Sequence, residues 1–261
     1  MAMKKRFQRT NHTNSDYKPL KFLSLDADPN VLSDHNIIGC DETGVGDYLT
    51  PLVTAAVYVP AAQVAALHKL GVKDSKQLSK DQIQRLFSQI QPLVKYRVNH
   101  LTQKGYNNLN KYLNAHQIKM FLHLKSITQL ERLDKVDEDL ILIDQFANAD
   151  NVAKYYDSLM LSSSLKTDEI RKPVVLASRA ESLHVAVACA SIIARYHFLE
   201  MMKDQEEACG MEFPLGTNAI VEQTALAFCQ KFGRKALYEI AKINFQTTQK
   251  IDAQLATSKK S

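Results

Sequence analysis

No C-x-x-C pair occurs among the four cysteines, Cys40, Cys189, Cys209 and Cys229. Their scatter speaks against a zinc knuckle and a disulfide framework and fits a reducing cytosol. No apolar run approaches the roughly 20 residues that a membrane span needs. The stretch from Leu52 to Leu67 is broken by Pro60 and Gln63. The basic start Met1-Ala2-Met3-Lys4-Lys5-Arg6 has no apolar core behind it, so no signal peptide is expected. Internal repeats and Gly/Ser linkers are missing too. What is present, 261 residues with 45% hydrophobic and 23% charged side chains, is ordinary for a soluble globular chain of one large domain or two small ones. The expectation is a cytoplasmic protein without membrane attachment.

Net charge is +5, and its distribution says more than its value. Residues 1–22 hold Lys4, Lys5, Arg6, Arg9, Lys18 and Lys21 against Asp16, which already accounts for +5; the remainder balances at 27 basic and 27 acidic residues. A basic arm ahead of a neutral domain suits sequence-independent attraction to a polyanion. A solvated, disordered tail describes the same stretch, and the two readings are compatible.

The chain is organised around Ile37-Ile38-Gly39-Cys40-Asp41-Glu42-Thr43-Gly44-Val45-Gly46-Asp47. An apolar run ends in two adjacent carboxylates and then a turn with two glycines. Successive strand residues point to opposite faces. Asp41 and Glu42 therefore serve one site only if the strand ends between them and the turn re-aims the second. Gly44 and Gly46 supply that freedom and let backbone N–H groups approach a ligand. Read alone, the stretch is equally a pair of solvated strand-end acids before a plain turn. It is not a dinucleotide fingerprint: the third glycine is missing, and the apolar run Leu52–Val59 stands where a helix should begin.

Around it the pattern predicts a mixed sheet flanked by helices, with a helical C-terminal extension. Residues 1–35 read as a basic, mostly disordered arm with a short strand near Leu20–Leu25. Strands are expected at His35–Asp41, Leu52–Val59, about Val94–Asn99, Leu140–Ile143 and Pro173–Ala177. Helices are expected over Ala61–Leu70, from the capping box Ser79/Gln82, up to about Leu133, over Asn151–Leu161, after Glu181, and near Asn218–Phe232 and Arg234–Lys242. Gly105–Asn114 reads as a turn-rich linker. The main folded unit is placed at residues 36–249 and residues 250–261 are read as a frayed tail.

Two further acids fall at strand mouths. Asp144 ends Leu140–Ile143, and Glu181 stands at the strand-to-helix junction after Pro173–Ala177. In open α/β sheets ligands bind at the carboxyl ends of strands. Four acids there repel one another, and cations relieve that repulsion. An all-oxygen set selects Mg²⁺ or Mn²⁺ over Zn²⁺. Two such ions about 3.5–4 Å apart clamp the attacking and leaving oxygens in phosphodiester cleavage. Taken singly, Asp144 is also an ordinary strand-end acid, and Glu181 the acid that a helix N-terminus favours.

These residues resemble the type 2 ribonucleases H, and ribonuclease HIII more closely than ribonuclease HII. The glycine-turn signature is matched by Asp41-Glu42-Thr43-Gly44-Val45-Gly46-Asp47-Tyr48, and the Asp-Ser-Lys loop by Val72-Lys73-Asp74-Ser75-Lys76-Gln77-Leu78. The strand-borne acid is matched by Asp144. The last segment is matched by Ala180-Glu181 through Val187-Ala188-Cys189-Ala190-Ser191-Ile192-Ile193-Ala194-Arg195-Tyr196. The similarity covers about residues 37–248 in four ordered motifs. It implies the RNase H fold and endonucleolytic cleavage of RNA in RNA–DNA hybrids, leaving 5′-phosphate and 3′-hydroxyl ends. It also implies Asp41, Glu42, Asp144 and Glu181 as catalytic metal ligands for two Mg²⁺ or Mn²⁺ ions. The hybrid is the implied partner, no obligate protein partner is implied, and a monomer is expected.

The subtype rests on Glu181, where ribonuclease HII usually has aspartate, and on Phe213-Pro214-Leu215-Gly216-Thr217-Asn218. That stretch lacks the tyrosine of the ribonuclease HII segment Gly-Tyr-x-Thr-x-x-His. The implied preference is for runs of ribonucleotides; the alternative is HII-like cutting at single ribonucleotides, or weak catalysis by a hybrid-binding protein on the same fold. One departure is the N-terminus: ribonucleases HIII typically carry a folded substrate-binding domain, and 35 residues ahead of the first strand are too few for it.

Within the resemblance, Thr43, Gly44, Val45 and Gly46 present backbone groups to the hybrid's minor groove, where the 2′-hydroxyl marks RNA. Lys76 and Arg195 are candidate phosphate contacts; a solvated lysine and a helix-surface arginine are the bland equivalents. Asn114 and Gln117, with Asn107 and Asn110, resemble the HIII amide-rich region, though Asx-turn chemistry at a helix start explains them equally well. Ser182 and His184, two apart, are poorly spaced for a nucleophilic pair. Two other classes compete. A non-catalytic nucleic-acid binder would gain by losing four negative charges, and a small-molecule acid–base enzyme leaves the glycine turn and the basic arm unexplained. Metal-dependent cutting of a labelled hybrid separates all three.

Overall fold

The computed structural model describes residues 20–24, 32–72, 75, 78–162, 164–165 and 167–258. The chain begins with an edge strand, β1 (Phe22–Ser24), inside the stretch expected to hold a short strand. A meander follows, β2 (Ile37–Thr43) and β3 (Leu52–Val59), then helices α1 (Ala61–Lys69) and α2 (Lys80–Ile90), then β4 (Lys95–Leu101). The Ser79/Gln82 capping box at the head of α2 is formed in both directions. Next come α3 (Gln103–Leu109), α4 (Ala115–Asp134), β5 (Leu140–Asp144), α5 (Ala149–Met160) and β6 (Val174–Ala177). The chain closes with α6 (Ala180–Leu183), α7 (Val185–Cys209), α8 (Ala219–Phe232), α9 (Leu237–Ile240) and α10 (Gln246–Ser258).

The six strands form one mixed sheet in the order β1-β6-β5-β2-β3-β4. β2, β3 and β4 pair antiparallel, while β2, β5, β6 and β1 run parallel. The four parallel strands therefore end on the same side, and that side carries Asp41, Asp144 and the entry to Glu181. Alternation along each strand splits the core. Ile37, Val53, Ala55, Val57 and Leu142 pack under α7, whereas Ile38, Cys40, Ile141 and Ile143 pack under α4 and α5.

The contact between β2 and α7 is backbone on backbone. A Cβ placed on Gly39 would come within 2.3 Å of the Ala186 carbonyl carbon and 2.4 Å of the Val187 nitrogen. Glycine in β2 and the small residues Ala186 and Ala190 in α7 let helix and sheet meet closely. Among the described residues α7 is the one helix long and apolar enough to cross a membrane, and it is the central buried helix of this fold.

Four expectations are corrected. β2 continues to Thr43 instead of ending at Asp41, because pairing with β3 runs on to Thr43↔Val53. The turn-rich linker contains α3, capped by Thr102 and anchored by buried Tyr106. The helix expected over Arg234–Lys242 is a 3₁₀ turn plus the short α9, ending before Lys242. The C-terminal tail is not frayed from residue 250: α10 continues to Ser258, with Ile251 fully buried and Asp252 clamped by Arg234.

Candidate active site

Asp41 and Asp144 stand side by side. The parallel register runs Gly39↔Leu142 and Cys40↔Ile143, and each acid is the next residue of its strand. Both share the face of Leu142, toward α7, at the spacing of neighbouring strands, about 4.8 Å. Asp41 accepts the Glu42 N–H at 2.7 Å and is hydrogen-bonded by Ser191 of α7. Burial, then the negative charges of Glu42 and Asp144, nevertheless push its carboxyl well above the usual carboxylate range.

Glu42, one residue on, points through the other face, which corrects the expectation that it joins Asp41 in one site: β2 does not end between them, so no turn re-aims it. Lys119 Nζ donates to Oε1 at 2.7 Å, and His123 Nε2 lies 2.9 Å from Oε2. Both partners are on α4, four residues apart on one side of the helix. Burial opposes ionisation, but the hydrogen bonds and positive charge offered by His123 and Lys119 outweigh it and hold Glu42 below the usual range. Phe146 roofs this cluster, 4.6 Å from Lys119 Nζ and stacked parallel to His123. The sequence reading passed over Lys119 and His123. Their signal is a polar pair at i and i+4 on an otherwise apolar stretch of α4.

Glu181 is the second residue of α6, reached through Arg179 in the left-handed region at φ 56°. The Ala180 N–H donates to Asp144 Oδ1 at 3.1 Å, tying the start of that helix to the strand-borne acid. Ser182 and His184 do not form a nucleophilic pair. The Ser182 hydroxyl donates to the Arg179 carbonyl, and His184 caps α7 by accepting the Ala186 N–H. Burial pushes His184 down to about 4, which keeps it neutral for that role.

The glycine turn has one demanding position. Gly44 has φ +86°, and a Cβ there would sit 2.0 Å from the Pro51 carbonyl oxygen. Gly46 has open space where a Cβ would be and no positive φ, so its conformation does not require glycine. Thr43 ends β2 on the Asp41 face, and Val45 packs beside Leu52 and Tyr106. Arg195, half-buried on α7, stacks its guanidinium 4.7 Å from the Phe198 ring beside this turn.

Lys76 lies outside the described residues. Its neighbour Ser75 is buried and bonds Ser191 at 2.7 Å, so one hydroxyl chain links the Asp-Ser-Lys loop to Asp41. Asn114 and Gln117 form a reciprocal capping box at the head of α4, and the Gln117 amide also donates to Ser158. Asn107 is buried and donates to the Tyr238 and Ala241 carbonyls. The capping explanation accounts for the first two, and a tie to the C-terminal segment for the third.

Among the described residues no three His, Cys, Asp or Glu side chains are gathered into a metal cage. The chemistry of the Asp41–Asp144 edge still fits a divalent cation. It offers carboxylate oxygens only, and Asp41 carries more negative charge around it than its burial tolerates.

The family profile described as Ribonuclease HII matches residues 38–248. Ribonuclease HIII of Bacillus mycoides (strain KBAB4) is 38% identical over 226 residues, covering 86% of this chain and 70% of that protein. Among solved structures, Bst-RNase HIII in complex with Mn2+ superposes with a TM-score of 0.79 at 35% identity, covering 90% of this chain and 76% of that one. Aquifex aeolicus RNase H3 superposes with a TM-score of 0.63 at 26% identity, covering 82% of this chain and 74% of that one.

Proposed function

The chain belongs to the type 2 ribonuclease H family and is HIII-like, and from that premise we propose that it cuts the RNA strand of RNA–DNA hybrids at the Asp41–Asp144 edge. The observation that carries this reading is the pairing of those two carboxylates across parallel strands, with Asp41 pushed up by burial and by its acidic neighbours. Asp41, Asp144 and Glu181 are the residues assigned to hold Mg²⁺ or Mn²⁺; Glu42, turned through the sheet to Lys119 and His123, is the one of the four expected ligands that β2 aims elsewhere. Divalent ions, when bound, supply a lowered pKa for the attacking water and neutralise charge on the leaving oxygen.

The chain's own groups do the rest. Ser191 and the Glu42 N–H orient the Asp41 carboxylate, and Ala180 orients that of Asp144. The Thr43–Gly46 turn meets the minor groove with backbone groups, and Arg195 meets a phosphate. The cut leaves a 5′-phosphate and a 3′-hydroxyl, and runs of ribonucleotides are preferred. The catalytic unit in this reading starts at residue 36 and takes in α10 to Ser258, beyond the boundary at 249 expected from the sequence.

Two end-labelled duplexes test this in Mg²⁺ and in Mn²⁺, one with an all-RNA strand on DNA and one with a single ribonucleotide in DNA. Wild type is expected to cut the first, and Asp144→Asn to lose at least about 10³-fold in rate. Efficient cutting of the second would replace the HIII-like specificity by junction cleavage. Cutting of neither, with tight binding kept, would leave a binding protein.

A further inference from the structure

Lys242 has no exposed surface, and none of the ion pairs among the described residues includes it. Its ammonium instead donates to the Gly44 carbonyl, to the Asp47 carbonyl at 2.8 Å and to the Thr50 hydroxyl at 3.3 Å. The rings of Tyr106 and Phe245 lie 5.7 and 5.9 Å from it. An ammonium has three donors and no acceptor, so these three oxygens account for all of them. Burial pulls Lys242 down to about 7 against the opposing charge of Asp47; holding an ammonium there without a hydrogen-bonded carboxylate is costly, and a methionine would fill the same space without that cost. Stability alone does not explain it.

All three acceptors belong to one short segment, the loop that begins at the glycine turn. We propose that Lys242 is a positioning residue that holds the Gly44–Val45–Gly46 turn in the shape that meets the hybrid. The inference rests on the function proposed above and deepens it. Its geometric basis is the trans peptide: drawing the Gly44 carbonyl inward sends the Val45 N–H outward, to the side a ligand approaches. The base of the clamp is itself fixed. The Lys242 N–H donates to the Tyr48 carbonyl at 3.0 Å, and Asn107 holds both sides of it, donating to the Ala241 carbonyl at 2.8 Å and accepting the Ile243 N–H at 3.0 Å. From the other side, Asp47 Oδ1 accepts the Gly216 N–H at 2.7 Å. The C-terminal segment thereby becomes part of the recognition machinery, although it supplies none of the four carboxylates.

The test is Lys242→Met, read by steady-state cleavage of an all-RNA strand on DNA and by hydrogen exchange of the peptide covering residues 44–50. The expected result is a KM raised about tenfold with kcat changed less than about threefold, and exchange about tenfold faster in a variant that melts no lower than wild type. Thr50→Val, which keeps the shape but removes one acceptor of the ammonium together with the hydroxyl's own reach to the Gly44 and Asp47 carbonyls, is expected to raise KM about threefold. It carries the test if Lys242→Met does not fold. Unchanged KM and exchange in a folded variant overturn the inference, as does a parallel loss of stability and kcat with KM intact. Wild type that fails to cut the hybrid while the exchange effect appears overturns the function reading and leaves the clamp standing.

Discussion

The two faces of strand β2 treat adjacent carboxylates in opposite ways. On the α4 face Glu42 meets Lys119 and His123, and its carboxyl is held down. On the α7 face burial and the charges of Glu42 and Asp144 push the Asp41 carboxyl up, against the pull of its hydroxyl and amide donors. The covalent neighbourhood is shared, so the difference comes from the helix that covers each face. The chain supplies its own cations on one side and leaves the other to be neutralised from solution. Two titratable groups driven apart by their surroundings are what division of labour in a reactive centre requires.

The harshest way to break the comparison is at the packing of the α7 face. Gly39→Ala places a methyl group against the Ala186 and Val187 backbone, which has no flexible side chain to move aside. A loss of at least about 3 kcal/mol is expected, read from the denaturant midpoint. An unchanged midpoint would mean that α7 has room to retreat, and the Asp41 environment would then need rethinking.

The α4 face is probed by Lys119→Met. The Glu42 carboxylate keeps His123 but loses the ammonium at 2.7 Å, and about 2 kcal/mol of stability at neutral pH is expected to go with it. Adding Glu42→Gln to the same chain should recover most of that loss, because the uncompensated charge is then gone. A double-mutant cycle with no coupling would show the pair to be incidental.

The mildest probe lies two turns along α4. Burial and the facing acid Glu138 push the Glu131 carboxyl up to about 7, against the opposing pull of Arg171. Between its unfolded value near 4.5 and about 7 the folded protein holds a proton that the unfolded chain has released, so stability falls as pH rises through that window. Glu131→Gln removes the dependence. Its midpoint should exceed that of wild type by a small margin at pH 8, and the margin should close toward pH 4. A constant margin across pH would assign the effect to something other than ionisation.

The strand mouths were legible in the sequence because an apolar run that stops at an acid needs only local pattern to be seen. Asp144 and Glu181 stand where those runs predict, whereas Asp41 lies two residues inside the end of β2. Which way Glu42 faces was not legible, since β2 extends to Thr43 only through its pairing with β3, a contact the local pattern does not encode. α3 was hidden by its amides: Asn107 reads as a turn former, yet its side chain is spent on the Tyr238 and Ala241 carbonyls. Lys242 sits in a segment whose lysines look solvated, and its acceptor at Gly44 is 198 residues away in the chain. Polar groups whose partners are distant in sequence are what pattern reading misses.

The length of α7 has a practical side as well. Cys40, Cys189 and Cys229 are buried, and Cys209, half-exposed at the last turn of α7, is the thiol that reagents reach. It sits about 27 Å along the helix axis from Ser191, the residue that touches Asp41. A fluorophore or spin label attached there reports distance to a labelled duplex from a fixed post, with the reactive edge left untouched.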